Sequence, residues 1–183
     1  MVPDLPSWAV VSPERAEHIG RVAALLDDWA ARAGTEAREA ARWQRAALLH
    51  DALRDADVEV LRAHAGDTGL PPALWHGPAA ASLAAAHGEN DAGVLEAVRW
   101  HTVGWVGWDD VGRALYLADY LEPGRTHEPG RAALAARMPH EFGAVLRDVT
   151  ARRIGWLLGT HRPIARQTWE FWNGLAAGDS SSS

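Results

Sequence analysis

The chain has 183 residues, of which 48% are hydrophobic and 23% are charged, and its net charge is −6. This length and composition suit one domain with a sizeable core and exclude a wholly disordered protein. All 18 basic residues are arginine, and the negative net charge argues against a general nucleic-acid-binding surface while leaving room for a local arginine pocket that binds phosphates.

Cysteine is absent, which excludes disulfides and thiolate metal sites. Any metal would be held by imidazole and carboxylate groups, which suit iron, manganese or zinc. The first residues lack the basic start and apolar run of a secretory signal, and no stretch approaches about 18 continuous apolar residues. We therefore expect a cytoplasmic protein without a membrane partner.

The pattern predicts helices nearly throughout, because apolar residues recur at helical spacing between capping and breaking residues. The first predicted helix is 13–33, which Ser12 caps and Gly34 ends, and the second is capped by Thr35 and continues past His50 and Asp51. Shorter helices are predicted from Asp57 to His64 and from His76 to Gly88; the next is capped by Asn90 or Asp91 and reaches His101. Another is capped by Asp109 or Asp110 and ends before Pro123, and the last two are predicted from Arg131 to Met138 and from Glu141 to Leu158. No internal repeat, heptad seam or alternation of strands and helices interrupts this pattern, so the predicted fold class is all-α.

An adjacent His50-Asp51 pair follows the apolar run AALL, and a buried aspartate without a partner would cost several kcal/mol. Asp51 therefore has a cation or a strong donor nearby, or else lies on the surface at the end of its helix. Polar side chains also lie on or beside the apolar stripes of other helices, or at a helix start; these are His18, His76, His101 and Asp119. One such residue is usually satisfied within the core, but four on separate helices favour a shared site. Imidazoles and carboxylates are the usual ligands of a hydrolytic dinuclear centre, in which Asp51 is the natural bridging carboxylate.

Five segments carry a resemblance to a known family: ERAEHIGRVA, AALLHDALRD, LWHGPAAA, VRWHTVGW and ALYLADYLEPGR. In this order they resemble the HD-domain metal phosphohydrolases, and more closely the bacterial YqeK-type symmetrical diadenosine tetraphosphate (Ap4A) hydrolases. The resemblance covers residues 14–125. It implies an HD-domain helical bundle around a central metal site, with residues 1–178 as a single HD domain. The tail 179–183 is predicted to be disordered from its composition.

The resemblance also implies a cofactor, a ligand set and a reaction. The cofactor would be dinuclear iron, with manganese or another divalent metal as the alternative. One metal would be bound by His18, His50, Asp51 and Asp119, and the second by His76 and His101, with Asp51 bridging as the catalytic carboxylate. The implied reaction is hydrolysis of Ap4A to two ADP by a metal-bound hydroxide.

An anionic substrate of this kind requires cationic contacts, for which the candidates are Arg125, Arg54 and Arg15. The family often has lysine where Arg54 stands, and Arg15 is equally compatible with a solvated helix face. Tryptophans near the motifs either stack on adenine or pack as core or lid residues; these are Trp75, Trp100, Trp105 and Trp108. The segment TWEFWNGL resembles a family segment that usually carries Arg-Asn, whereas Trp172 stands before Asn173 here.

Two alternatives to Ap4A hydrolysis stay open at the level of sequence. The first is an HD phosphohydrolase that acts on another nucleotide, such as a nucleoside mono-, di- or triphosphate. The second, of a different class, is a nucleotide-binding regulator without turnover, which the loss of a ligand residue would favour, and none of the six is missing. The expected partner is a small dinucleoside polyphosphate or other nucleotide, and a homodimer is one alternative for the oligomeric state.

Overall fold

A computed structural model describes residues 3–124 and 130–179, and within these ranges the protein is helical and has no β-strand. The prediction of an all-α fold is confirmed. The helices are α1 Pro13–Ala33, α2 Ala37–Leu49, α3 Val58–Ala65, α4 His76–Ala86, α5 Ala92–Trp100, α6 Asp110–Leu121, α7 Arg131–Arg137, α8 Phe142–Gly159 and α9 Arg166–Asp179, with a 3₁₀-helix at Pro72–Leu74 before α4.

Local capping residues start three of these helices as predicted. The side chains of Ser12, Asp91 and Asp109 each accept a hydrogen bond from a backbone N–H in the first turn of α1, α5 and α6. Gly34 ends α1 with φ +65°, a left-handed conformation that glycine adopts without a steric penalty. The starts and stops of these helices therefore follow from local chemistry.

Helix α6 lies at the centre of the bundle, in contact with α1, α2, α5, α7 and α8. Ten of its 12 residues are buried, so its polar Asp119 is carried into the core together with its apolar neighbours. Burial of each large apolar side chain contributes roughly 1.5–3 kcal/mol. This packing is what brings the end of α6 against the beginning of α1.

Helix α2 differs from its prediction at both ends. It begins at Ala37 without a side-chain cap, so the predicted capping role of Thr35 is wrong, and it ends at Leu49 instead of continuing past Asp51. The carbonyl oxygen of Ala47 accepts a hydrogen bond from the His50 ring, and the following residues form tight turns. The His50-Asp51 pair therefore lies at the exit of α2, in a turn.

Helix α9 was not predicted, and its side chains close one end of the bundle. Phe171 packs edge-on against Trp108 and Tyr116, and the hydroxyl of Thr168 donates to the carbonyl oxygen of Val103. A Cβ at Gly104, which has φ +87°, would lie 2.6 Å from a ring carbon of Phe171. The docking of α9 thus depends on a glycine in the loop before α6.

Some predictions fall outside the described ranges. Arg125 lies outside them, and so do residues 180–183 of the predicted tail, whereas its first residue, Asp179, ends α9. Among the described residues no helix is long and apolar enough to cross a membrane.

Candidate metal centre

The six residues that the sequence grouped as ligands converge on one buried cluster. His18 comes from α1, His50 and Asp51 follow α2, His76 opens α4, His101 follows α5, and Asp119 lies near the end of α6. All six are at most 5% exposed. The structure therefore brings the whole predicted set together, from five helices that are distant in sequence.

Asp51 lies between two groups of histidines and offers one carboxylate oxygen to each. Its Oδ2 is 3.7 Å from Nε2 of His18 and 3.7 Å from Nε2 of His50, while its Oδ1 is 3.3 Å from Nε2 of His76 and 3.4 Å from Nε2 of His101. We call His18, His50 and Asp119 the His18 half-site, and His76 and His101 the His76 half-site. Asp51 is shared by both, as a bridging carboxylate must be.

Asp119 borders the donors of the His18 half-site, since its Oδ1 lies 3.2 Å from Nε2 of His18. The Nε2 atoms of His18 and His50 are 3.4 Å apart, and those of His76 and His101 are 3.2 Å apart. Metal–ligand bonds of about 2.0–2.2 Å place neighbouring donor atoms roughly 3–3.5 Å apart. The donor spacing and the imidazole–carboxylate chemistry therefore fit a divalent metal ion in each of two groups, His18 with His50 and Asp51, and Asp51 with His76 and His101.

The close approach of His76 to His101 depends on Gly77. A Cβ at this position would lie 2.9 Å from the carbonyl oxygens of Val98 and Arg99 and 3.2 Å from the His101 ring. Contacts this short would push the start of α4 away from the end of α5. The glycine after His76 thus allows two rings from different helices to face each other.

Backbone carbonyls orient two of the histidines. Nδ1 of His50 is 2.7 Å from the carbonyl oxygen of Ala47, and Nδ1 of His101 is 2.8 Å from that of Val98. A carbonyl can only accept, so each Nδ1 donates its proton, and Nε2 is the ring nitrogen left to offer a lone pair to a metal ion. These lone pairs point into the cluster, as metal coordination requires.

Glu122 orients His18 and was missed by the sequence analysis. Its Oε1 lies 3.2 Å from Nδ1 of His18, while its Oε2 accepts from Nε of Arg21 at 2.6 Å and from the backbone N–H of Gly124 at 2.7 Å. Burial raises the pKa of Glu122, but its hydrogen bonds to His18 and Arg21 outweigh burial and lower it to about 2. Its position one helical turn after Asp119 indicates the inner face of the bundle, but its pairing with His18, 104 positions away, has no signal in the sequence.

The pKa shifts in the cluster favour an ionised Asp51 and a neutral His50, whereas the proton favoured on His18 would have to leave before a metal ion binds there. Burial lowers the pKa of His50 to about 4, so this ring is neutral at neutral pH. Burial also opposes ionisation of Asp51, but the surrounding histidines, His50 above all, hold its pKa well below the ordinary value. Burial lowers the pKa of His18, yet hydrogen bonds to Asp119 and Glu122 outweigh it, and the net shift is upward. An ionised carboxylate among imidazoles is the state that a metal ligand set needs.

The cluster opens onto a cavity of about 1570 Å³. Among the described residues, eight arginines line this cavity, against four carboxylates. Arg15 lies inside it with Nη1 2.7 Å from Oδ2 of Asp51, and Arg54 places Nη1 3.4 Å from Nδ1 of His76. Two of the three predicted substrate-binding arginines therefore border the cluster, in a cavity that is cationic although the whole chain is acidic.

Comparison with known proteins identifies the family. The model of the HD domain family matches residues 15–124, which include all six cluster residues. The chain belongs to the HD domain family. It is therefore an HD-domain hydrolase, and the resemblance predicted from the motifs is confirmed. Because the match ends at residue 124, the extent of a single HD domain over residues 1–178 stays a prediction.

Among the relatives of this HD-domain chain are proteins named symmetrical bis(5'-nucleosyl)-tetraphosphatase. That of Bacillus subtilis (strain 168) is 27% identical over 157 residues, or 81% of this chain and 82% of the relative. That of Staphylococcus aureus (strain NCTC 8325 / PS 47) is 39% identical over 54 residues, or 29% of this chain and 28% of the relative. A Clostridium acetobutylicum crystal structure, described as a predicted HD superfamily hydrolase involved in NAD metabolism, has a TM-score of 0.79 at 23% identity over 91% of each chain. This last likeness supports the HD fold.

Other residues at the HD site were not anticipated. The hydroxyl oxygen of Thr102 lies 3.2 Å from Nε2 of His101 and 3.4 Å from Nε2 of His76, beside the donor atoms of that half-site. Arg153, from α8, also lines the cavity and places Nη1 3.9 Å from Oδ2 of Asp119. Neither could be assigned by spacing, because α8 and the loop after α5 reach the site only through tertiary packing.

The four tryptophans near the motifs pack within the protein and do not line this cavity. Trp100 and Trp105 stack on each other with ring centroids 5.5 Å apart, Trp108 is buried, and the indole N–H of Trp75 donates to Leu70. The packing alternative is therefore supported for these side chains. The tryptophan that does line the cavity is Trp156 of α8.

Proposed function

We propose that this HD-domain hydrolase cleaves diadenosine tetraphosphate symmetrically to two ADP, with a dinuclear iron centre as its cofactor. The observation that carries the proposal is the shared Asp51, which joins two buried donor groups at the floor of an arginine-lined cavity. The relatives named symmetrical bis(5'-nucleosyl)-tetraphosphatase support the choice of substrate. Imidazole and carboxylate donors are compatible with iron and also with manganese.

Each half-site would hold one metal ion. His18, His50 and Asp119 would bind the first, His76 and His101 the second, and Asp51 would bridge them. Divalent ions held in this way would supply a water molecule of lowered pKa and polarisation of a phosphoryl oxygen. Other groups of the chain orient the ligand side chains, as Glu122 does for His18, and arginines around the cavity supply positive charge.

The arginines around the cluster would orient the polyphosphate. Arg15 and Arg54 approach Asp51 and His76 from two elements, so an inner phosphate at the cluster would meet cations from two directions. Guanidinium groups bind phosphate oxygens with two parallel hydrogen bonds, which fixes orientation as well as charge. Cleavage between the two inner phosphates then requires the middle of the polyphosphate to lie at Asp51, with one nucleoside on each side. A third arginine, Arg125, stays a candidate from the sequence.

A product assay tests the substrate. The protein is purified, loaded with Fe²⁺ or with Mn²⁺ in separate samples, and incubated with Ap4A, and the products are separated by ion-exchange chromatography. We expect ADP as the sole product. Formation of ATP together with AMP, or no turnover with either metal, would reject symmetrical cleavage.

The same assay addresses the alternative that another nucleotide is the substrate. A panel of nucleoside mono-, di- and triphosphates, NAD and dinucleoside polyphosphates of different length is compared by kcat/KM. We expect Ap4A to exceed every mononucleotide, since the cationic cavity is large enough for more than one nucleotide. A mononucleotide or NAD with the highest kcat/KM would replace Ap4A in this proposal, while metal bound without turnover of any nucleotide would favour a regulator.

A further inference from the structure

Arg153 of α8 is partly buried, and one of its nitrogens lacks a hydrogen-bond partner among the described residues. Its guanidinium lies over the ring of Tyr116, with its central carbon 4.6 Å from the ring centroid, and 5.8 Å from that of Tyr120. Nη1 is buried and makes no hydrogen bond within the described parts of the chain. Among the described residues its ion-pair partner is Oδ2 of Asp119 at 3.9 Å, which is too long for a hydrogen bond.

This placement is costly for a residue with a purely structural role. A buried donor without a hydrogen bond costs about 1–3 kcal/mol, and more when it carries charge. Tyrosine faces stabilise a cation without satisfying its N–H groups, and they hold the planar guanidinium in one orientation. Arg153 also hydrogen-bonds the side chain of Tyr116. It is therefore fixed in place beside a metal-ligand candidate, with Nη1 as the nitrogen that lacks a hydrogen bond within the described residues.

The side chain also has access to the space that the substrate would occupy. Arg153 lines the main cavity, and its side chain is 20% exposed. Arg15 and Arg54 reach the cluster at Asp51 and His76, whereas Arg153 reaches it at Asp119. The cation on this third side comes from α8, outside the residues 15–124 that match the HD domain.

We propose that Arg153 binds a phosphate oxygen of the substrate beside Asp119, as a third cationic contact around the metal cluster. The proposal rests on the proposed function only in requiring a phosphate-containing substrate. A phosphate in this position would satisfy the N–H groups of Nη1 and neutralise the guanidinium. Because Asp119 is drawn toward a metal ion, Arg153 would be left to the phosphate.

Substitutions of Arg153 test this contact by binding as well as by turnover. Arg153→Gln keeps much of the side-chain volume, and Arg153→Lys keeps the charge without the planar fork. Metal content, thermal unfolding, KM and kcat are compared with wild type, and the binding of inorganic pyrophosphate to the Mn²⁺-loaded protein is measured by calorimetry. Arg137→Gln serves as the control, since Arg137 pairs with Glu141 and Asp148 away from the cavity.

We expect Arg153→Gln to weaken pyrophosphate binding and raise KM by about 10- to 100-fold, which is the range for a lost hydrogen bond to a charged group. Arg153→Lys should recover part of this loss, and metal content should stay at the wild-type value in both variants. Arg137→Gln should change neither measurement. This pattern would support the contact even if Ap4A proves not to be the substrate, because pyrophosphate binding is measured independently of turnover.

Two results would overturn the proposal. Unchanged pyrophosphate binding in Arg153→Gln, with the protein folded and metal-loaded, would show that Arg153 does not contact phosphate. Parallel loss of metal and of pyrophosphate binding in both variants would assign Arg153 to holding Asp119 in place. Failure of the proposed function would give a different result: the wild-type protein would bind pyrophosphate but would not cleave Ap4A.

Discussion

The two half-sites around Asp51 differ in the charged and polar groups that contact their ligand residues. In the His18 half-site, Asp119 adds a second carboxylate, His18 is oriented by Glu122, and His50 is oriented by a backbone carbonyl. In the His76 half-site, the only carboxylate among the described residues is the shared Asp51. His76 there faces the cation of Arg54, which is 3.4 Å from its Nδ1.

This difference indicates that the two metals would be held with unequal strength. Negative charge and acceptors behind the ligands raise metal affinity, whereas a neighbouring cation lowers it. Each half-site has such a cation, Arg15 at Oδ2 of Asp51 and Arg54 at His76, so the difference comes from the added carboxylates Asp119 and Glu122. We therefore expect the His18 half-site to bind first and to release its metal last. The His76 half-site, which has fewer protein ligands and lies beside a substrate-binding candidate, leaves more room for the substrate to complete its coordination.

The largest effect should come from the residue that the half-sites share. Asp51→Asn preserves the shape of the side chain but removes the charge that faces both histidine groups. We expect loss of both metals and a fall in turnover of at least about 1,000-fold, because the metals supply several kcal/mol of transition-state stabilisation. Metal content is measured by mass spectrometry, and turnover by ADP release.

Asp55→Asn is the matched control for Asp51→Asn. Asp55 is four residues away and accepts a hydrogen bond from the backbone N–H of Ser12, outside the cluster. We expect wild-type metal content in this variant. If Asp51→Asn retained two metals, the bridging assignment would be wrong.

Single ligand substitutions in each half-site should separate the two metals. His18→Ala should remove the tightly bound ion, and His76→Ala should remove the weakly bound ion while the other is retained through dialysis. Wild type is expected to hold about two ions per chain and each variant about one. Titration with Mn²⁺ should give a lower Kd for the ion that remains in His76→Ala than for the ion that remains in His18→Ala. Equal Kd values would remove the proposed difference between the half-sites.

Glu122→Gln should weaken the His18 half-site without removing a ligand. Loss of a carboxylate behind a metal-ligating histidine typically costs 10- to 100-fold in affinity, and we expect a change of about this size. Glu89→Gln is a suitable control, because Glu89 is also a largely buried carboxylate paired with an arginine, Arg45, but it contacts no cluster histidine. The Kd of the metal in the His76 half-site should stay within about two-fold of wild type, since the contact of Glu122 with the cluster is made at His18.

The predictable parts of the molecule were those determined by neighbours in sequence. The caps at Ser12, Asp91 and Asp109 act within one turn, and the inward placement of Asp119 follows from helical spacing. The grouping of six polar residues was predictable because burying several charged or polar groups without a shared cation is costly. The residues that orient these ligands were not predictable in the same way.

The parts that were missed depend on packing between distant segments. Glu122 meets His18 across 104 positions, and Arg153 meets Asp119 only because α8 packs on α6. The end of α2 is set by the His50 ring and by the hydrogen bond from the N–H of Val10 to the carbonyl oxygen of Ala52. No periodicity carries this information, which is why the predicted helix continued too far.

The smallest expected effect concerns Arg54, which lies beside a ring nitrogen of the His76 half-site. A guanidinium can only donate, so Nδ1 of His76 accepts and the ring proton lies on Nε2, toward Asp51. A metal at Nε2 must displace that proton and face the nearby cation. Arg54→Met keeps the length of the side chain and should therefore tighten Mn²⁺ binding at this half-site by about five-fold while raising KM for the substrate.

Arg62→Met is the control for Arg54→Met, because Arg62 is an exposed arginine on α3 that pairs with Glu59 away from the cluster. Metal affinity and KM should both stay at wild-type values in that variant. Weaker metal binding in Arg54→Met would mean that the cation supports His76 instead of opposing its coordination. The order of metal release would still rest on Asp119 and Glu122, the carboxylates added in the His18 half-site.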